Sequence, residues 1–174
     1  MDRLTVEQRS ALMSRIRGKD TGPELKVRRI AHAAGYRFRL HGQVARAAAD
    51  AAARAAPDIK LIGGKLPGKP DLVFASRHKV VFVNGCFWHR HDCPAGRRAP
   101  SSNPDFWAAK REGNAARDDR HRASLRMLGW DSLTLWECQL KDPDAVLGAL
   151  TEFLDAPGMD CRRANSDHKG GPKG

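Results

Sequence analysis

A chain of 174 residues is most simply one domain, long enough to bury a core, and 41% hydrophobic content excludes disorder along its whole length. Its 31 basic residues against 20 acidic ones leave a net charge of +11, which points to a polyanionic partner. Four Trp and a dense group of Cys and His set it apart from a ribosomal or tail-type basic protein. No apolar run reaches transmembrane length, and no hydrophobic signal core follows Met1. The expectation is a cytoplasmic, nucleoid-associated chain with no membrane contact, whose cysteines are thiols or metal ligands rather than disulfides.

Taken in order, Thr5 and Gln8 have the spacing of a helix start, and residues 8–17 suit a short basic helix. Leu12, Met13 and Ile16 give it an apolar stripe, so docking on the body is favoured over lying in a DNA groove. Thr21 and Glu24 form a second capping box at the head of a helix ending near Gly35. Leu25, Ile30, Ala31 and Ala34 share one side of it, leaving Lys26, Arg28 and Arg29 to solvent or phosphate. On spacing alone, Glu24 is a cap. Residues 36–40 alternate as a strand. Residues 43–65 form an inserted excursion: an Ala-rich candidate helix without large apolar anchors, then Pro57 and the joint at Gly63 and Gly64.

Residues 71–75 and 79–83 read as strands joined through a turn containing His78, too short a link for anything but an antiparallel pair. Asn103, Pro104 and Asp105 open a long helix running to about Leu128, which places Lys110, Asn114 and Asp118 on one face. A strand over 131–136 delivers Glu137 and Cys138, and a last amphipathic helix covers 144–154. The result is a single domain over 1–155, with residues 1–18 as an amino-terminal arm and 156–174 as a disordered tail.

Chemistry gathers after the second strand of that pair. Cys86, His91, Cys93 and the distant Cys138 supply three sulfurs and an imidazole, enough to close a tetrahedral zinc shell. Spacing does not choose between His89 and His91, and Cys161 stays outside the set. Asp71, at a strand entrance after Pro70, is the best candidate to hold Mg²⁺ against a phosphate. Pro-Asp followed by a strand has the outline of the PD-(D/E)xK nucleases, but Val83, Asn84 and Gly85 stand where that pattern wants an acid and a lysine. His89, if free of zinc, could deprotonate an attacking water. Asn114 and Asp118 could position waters, although an exposed polar helix face is the simpler reading. Phe87, Trp88 and Trp107 either pack around the zinc or wedge between bases.

Together, the segment from Leu66 to Asp71, the run from Asn84 to His89, the pair Asn114 and Asp118, and Trp136 to Cys138 follow the order found in very short patch repair endonucleases (Vsr). Met13, Asp20, Thr21 and Glu24 fit the amino-terminal pattern of that family, so the resemblance spans about residues 9–155 apart from the insertion. It implies an α/β fold with a restriction-endonuclease-like central mixed sheet flanked by helices and a structural zinc. It also implies Mg²⁺-dependent nicking of one DNA strand, 5′ of the thymine in a T·G mismatch left by deamination of 5-methylcytosine.

Carried over by position, the resemblance makes Asp71 and the backbone carbonyl of Val83 the magnesium ligands and His89 the general base, with Glu24 as its carboxylate neighbour. Asp118 acts through the metal's water, and Cys86, His91, Cys93 and Cys138 hold zinc. Phe87, Trp88 and Trp107 intercalate, Met13 enters from the other groove, and Asn114 joins the DNA contacts. Asn84 belongs to the catalytic group but stands where a histidine is common, and it cannot take a proton. The implied partners are mismatched duplex DNA and mismatch-repair proteins such as MutL, and the implied state is a monomer. Two other readings stand beside this one: a restriction-type enzyme cutting both strands, and a zinc-stabilised DNA-binding module without catalysis.

Overall fold

The computed structural model describes residues 8, 18–59, 61–98 and 103–157. Of the basic helix expected over residues 8–17, residues 9–17, with Met13, lie outside the described residues, as do residues 158–174, with Cys161, of the tail expected over 156–174. In chain order the elements are α1 (Gly22–Ala33), β1 (Arg39–Leu40), α2 (Arg46–Ala55), β2 (Leu72–Phe74) and β3 (Lys79–Asn84). Then come α3 (Pro94–Arg97), α4 (Pro104–Met127), β4 (Asp131–Trp136) and α5 (Pro143–Asp155).

The four strands form one mixed sheet in the order β1-β2-β3-β4. β2 and β3 are antiparallel, as the short link demands, with Leu72 opposite Val81 and Phe74 opposite Lys79. His78 takes a left-handed conformation in that turn and stacks on Trp130, centroids 5.0 Å apart. β4 lies parallel to β3, so its connection must cross over a face of the sheet, and α4 makes that crossing.

The alternation along β2 and β3 sorts their side chains onto two faces. Leu72, Phe74 and Val81 meet Val27 and Ala31 of α1 and Val146, Leu150 and Leu154 of α5. Val73 and Val80 meet Leu125, Leu128 and Trp130 on the other side. With both faces covered, the apolar composition of these strands follows. Lys79, only 2% exposed, donates from Nζ to the Phe153 carbonyl at 2.6 Å and to the Ala156 carbonyl at 2.5 Å. Its charge therefore caps the carboxyl end of α5, where helix carbonyls lack partners.

Four sequence expectations change. The strand over 36–40 pairs only at Arg39–Leu40, although Tyr36 and Phe38 still pack edge-on against Phe74. The buried apolar face of α1 is Val27 and Ala31, while Leu25 and Ala34 are exposed; Arg28, expected to be free for solvent or phosphate, is buried and bonded to Asp20 and Glu24. Asn103 adopts a left-handed conformation and makes no side-chain cap at the head of α4. The inserted helix does have anchors, because Ala52 and Ala56 are small enough to lie flat against Val73, Leu125 and their neighbours, joined by Val44, Ile59 and Leu61.

Candidate functional site

Strand register builds the first half of the site. Asn84 and Trp136 are the last paired residues of β3 and β4, so Cys86 and Cys138, each two residues further on, emerge side by side. The Cys138 amide donates to Cys86 Sγ at 3.4 Å. His91 stacks on Trp136, ring centroids 4.3 Å apart at 16°, with Nδ1 3.4 Å from Cys138 Sγ. Cys93 caps α3, its sulfur accepting from the Gly96 amide. The four donor atoms lie within 4.8 Å of one another.

Three soft sulfurs and one imidazole converging in this way match a closed tetrahedral cation site. Burial pushes the Cys86 thiol up to about 12, whereas the Gly96 amide brings Cys93 down to about 7. It is the convergence of four donor atoms that fits a metal, and a bound cation would favour the thiolate form of Cys86 against its burial. The histidine in the group is His91, which leaves His89 for other work.

Gly96 is the packing constraint on this corner. A Cβ there would fall 1.9 Å from the His91 carbonyl oxygen and 3.0 Å from that of Cys86. Gly96→Ala is therefore expected to cost about 1–3 kcal/mol, the range for forced overpacking, and to weaken metal retention. In α4, Gly113 meets nothing within 4 Å, so Gly113→Ala is the control and is expected to stabilise slightly. Thermal melting with metal analysis checks both.

The second half is a cleft of about 640 Å³ beside this corner, lined among others by Glu24, His41, Asp71, Asn84, Trp88, His89 and Asp118. Asp71 sits at the entrance to β2, and its Oδ2 accepts from the Val83 amide at 2.7 Å. Burial, with the nearby Glu24 charge adding to it, pushes this carboxyl up to about 6, against the pull of the Val83 amide. Between its ordinary value and about 6 the folded chain holds a proton that the unfolded chain has released. With the cysteine corner metal-loaded and no further divalent cation added, stability is thus expected to fall as pH rises from about 4 to about 6. A divalent cation favouring the ionised form should flatten that slope, as urea unfolding across this range would show.

His89 is held by Asp118, with Nδ1 2.5 Å from Oδ2. A carboxylate there fixes the ring's orientation and favours the proton on Nδ1, leaving Nε2 with a lone pair. The neighbour expected for His89 was Glu24, but the hydrogen-bonded carboxylate is that of Asp118. Glu24 is buried, paired with Arg28 at 2.8 Å, and accepts from the Asp20 amide at 3.0 Å. Its ligand oxygen, one from Asp71 and one nitrogen of His41 lie within 4.8 Å of one another, a grouping with room for a cation. His41 gave no sequence signal, standing alone where the strand pattern lapses.

Asn114, counted with the DNA contacts, spends its polar atoms inside the protein. It donates to the Trp88 carbonyl at 3.0 Å and accepts from Arg117 at 2.7 Å, pinning the loop that carries His89. Phe87, Trp88 and Trp107 pack edge to face, with centroids 5.1–5.8 Å apart. Phe106, 57% exposed and not among the aromatics expected to meet DNA, extends the cluster outward. Lys110 lies over Trp88, Phe106 and Trp107, and Arg111 over Phe87, so the aromatic edge carries positive charge.

A buried carboxylate and a carboxylate-backed imidazole facing one cleft, on a chain of net charge +11, are the equipment of a metal-dependent phosphodiester hydrolase. The model of the family described as DNA mismatch endonuclease Vsr matches residues 1–55 and 57–95. The chain belongs to this family and is a DNA endonuclease. It is similar to the type II nicking enzyme V.XorIIP of Xanthomonas oryzae pv. oryzae, 42% identical over 154 residues, covering 88% of this chain and 97% of the relative. The type II nicking enzyme V.NmeAIP of Neisseria meningitidis serogroup A is 33% identical over 141 residues, 81% and 85% of the two chains. The DNA mismatch endonuclease Vsr of Escherichia coli K12 is 41% identical over 91 residues, 52% and 58% of the two chains. Among the described residues, no helix is long and apolar enough to cross a membrane.

Proposed function

We infer that this endonuclease nicks one strand of duplex DNA 5′ of the thymine in a T·G mismatch, with Mg²⁺ in the cleft, Zn²⁺ in the cysteine corner and a restriction-endonuclease-like arrangement of the sheet. The observation that carries this reading is the His89–Asp118 pair opening onto the same cleft as Asp71. Its presence also argues against a binding module without catalysis, which has no use for an oriented imidazole.

Asp71, Glu24 and the Val83 carbonyl would hold the catalytic cation, and the hard oxygen donors of the two carboxylates fit it. When bound, Mg²⁺ supplies Lewis-acid polarisation of the scissile phosphate. His89 Nε2 takes the proton from the attacking water, and Asp118 stabilises the imidazolium that forms. Asn84, buried at the end of β3, offers a hydrogen bond to the cleft but no proton-accepting group. Phe87, Trp88 and Trp107 wedge into the base stack, each base–aromatic contact contributing about 1–3 kcal/mol, while Met13 approaches from the opposite groove.

Single-strand cutting is favoured over double-strand cutting because V.XorIIP and V.NmeAIP are named nicking enzymes. A chain that cuts one strand works as a monomer, and mismatch-repair proteins such as MutL are the partners this reading implies. The test incubates T·G and matched T·A duplexes, labelled on both strands, with the protein and Mg²⁺. A single nick on the thymine strand of the T·G duplex alone is expected. Equal nicking of both duplexes sinks the mismatch specificity, and paired cuts restore the restriction-type reading.

A further inference from the structure

The donors that converge in the cleft are not all oxygens. Glu24 and Asp71 share their 4.8 Å grouping with an imidazole, His41, which arrives from the turn after β1 in a left-handed conformation, φ +54°. That turn is fastened to the segment carrying Asp71. The Gly42 amide donates to the Pro70 carbonyl at 2.7 Å, and the Leu66 amide to the Gly42 carbonyl at 2.9 Å. A Cβ at Gly42, itself at φ +73°, would fall 2.9 Å from Lys69 Cα, so the two backbones touch there. Position 41 is thereby locked against position 71.

His41 has no comparable commitment elsewhere. Its Nε2 is 3.6 Å from Asp20 Oδ1, beyond hydrogen-bond reach, and that same oxygen is engaged by Arg28 at 2.5 Å. Glu24 Oε2 accepts from Arg28 and the Asp20 amide and Oε1 from the Thr21 hydroxyl, which leaves one of a carboxylate's roughly four acceptor positions, on Oε1, for a cation. Oxygen-only sites suit Mg²⁺; Mn²⁺ shares that preference for carboxylates but, as a first-row transition dication, accepts an imidazole beside them more readily.

We propose that His41 is a nitrogen ligand of the catalytic cation, completing a two-carboxylate, one-imidazole site that binds Mn²⁺ in preference to Mg²⁺. This rests on the reading of the cleft as the cation site. The zinc-loaded protein, titrated with Mn²⁺ and then with Mg²⁺ by calorimetry, gives the affinities. Pulsed electron paramagnetic resonance on the bound Mn²⁺ reads its ligand atoms.

The modulation of a directly bound nitrogen is expected in wild type and in His89→Ala, and is expected to vanish in His41→Gln. His41→Gln should also lower Mn²⁺ affinity by about tenfold or more, in the range for disturbed metal shells, while Mg²⁺ affinity changes less. Absence of the nitrogen signal from wild-type protein overturns the proposal without recourse to any variant. So does its survival in His41→Gln, or its loss in His89→Ala instead. Asp71→Ala separates the two levels: if it binds Mn²⁺ as wild type does, the cleft is not the cation site. If Asp71→Ala loses Mn²⁺ and His41→Gln does not, only the role of His41 fails.

Discussion

Asp71→Ala is expected to reduce single-turnover nicking by at least about 10³-fold, and His89→Ala by about 10²–10⁴-fold, the usual worth of a positioned general base. Neither loss should come from unfolding. His89 is only partly buried, and its ring bonds one carboxylate at the cleft wall. Asp71 does support the fold through the Val83 amide, so Asp71→Asn, which retains an acceptor of the same shape, is the cleaner variant. It should melt near wild type and still fail to cut, because a neutral amide holds a divalent cation far less well than a carboxylate. Duplex affinity should change little in all three, since phosphate contacts from the basic surface dominate it. Rapid-quench kinetics beside a binding titration separates the effects.

Cys138→Ser is expected to release zinc and to abolish cooperative folding, or nearly so. Structural zinc contributes about 10–16 kcal/mol in small zinc-dependent domains, comparable with the whole stability of an ordinary one, about 5–15 kcal/mol. Here the cation would join the loop after β3 to the end of β4, which are otherwise linked by the Cys138 amide on Cys86 and the His91–Trp136 stack. Without it, Cys86 is left as a neutral buried thiol and the loop bearing His89 loses a mooring, keeping the bonds of Asn114 to the Trp88 carbonyl and of Asp118 to His89. His91→Ala should resemble Cys138→Ser. Cys161→Ser should match wild type in zinc content and melting temperature. Equal effects at positions 138 and 161 would contradict the ligand set.

The parts of this molecule legible in its sequence are those written as local pattern. Two Val-rich runs with a short link announce an antiparallel pair, and four potential ligands within eight residues, Cys86, His89, His91 and Cys93, announce a metal corner. What sequence leaves open are contacts between distant segments. His89 and Asp118 stand 29 residues apart and meet only because α4 crosses the sheet. Spacing alone leaves His89 and His91 equivalent; the family resemblance points to His91, and the register of β3 and β4, which carries Cys138 to Cys86, brings His91 into the donor group. Composition misleads at Arg28, whose charge suggests solvent but whose two acidic partners draw it inside, and at α2, where alanines pack because they are small. His41 illustrates the same limit: a lone histidine in an irregular turn has no periodicity to reveal it, and its importance comes from a backbone crossing.

The proposed site requires Asp71 and His89 to act together on one phosphodiester. Single-turnover nicking by Asp71→Ala, His89→Ala and the double variant tests it directly. Groups serving one step lose that step together, so the double variant should be about as slow as the slower single one. Losses that multiply, with the double variant slower by the product of the two, would show the carboxylate and the imidazole working independently and would contradict the account.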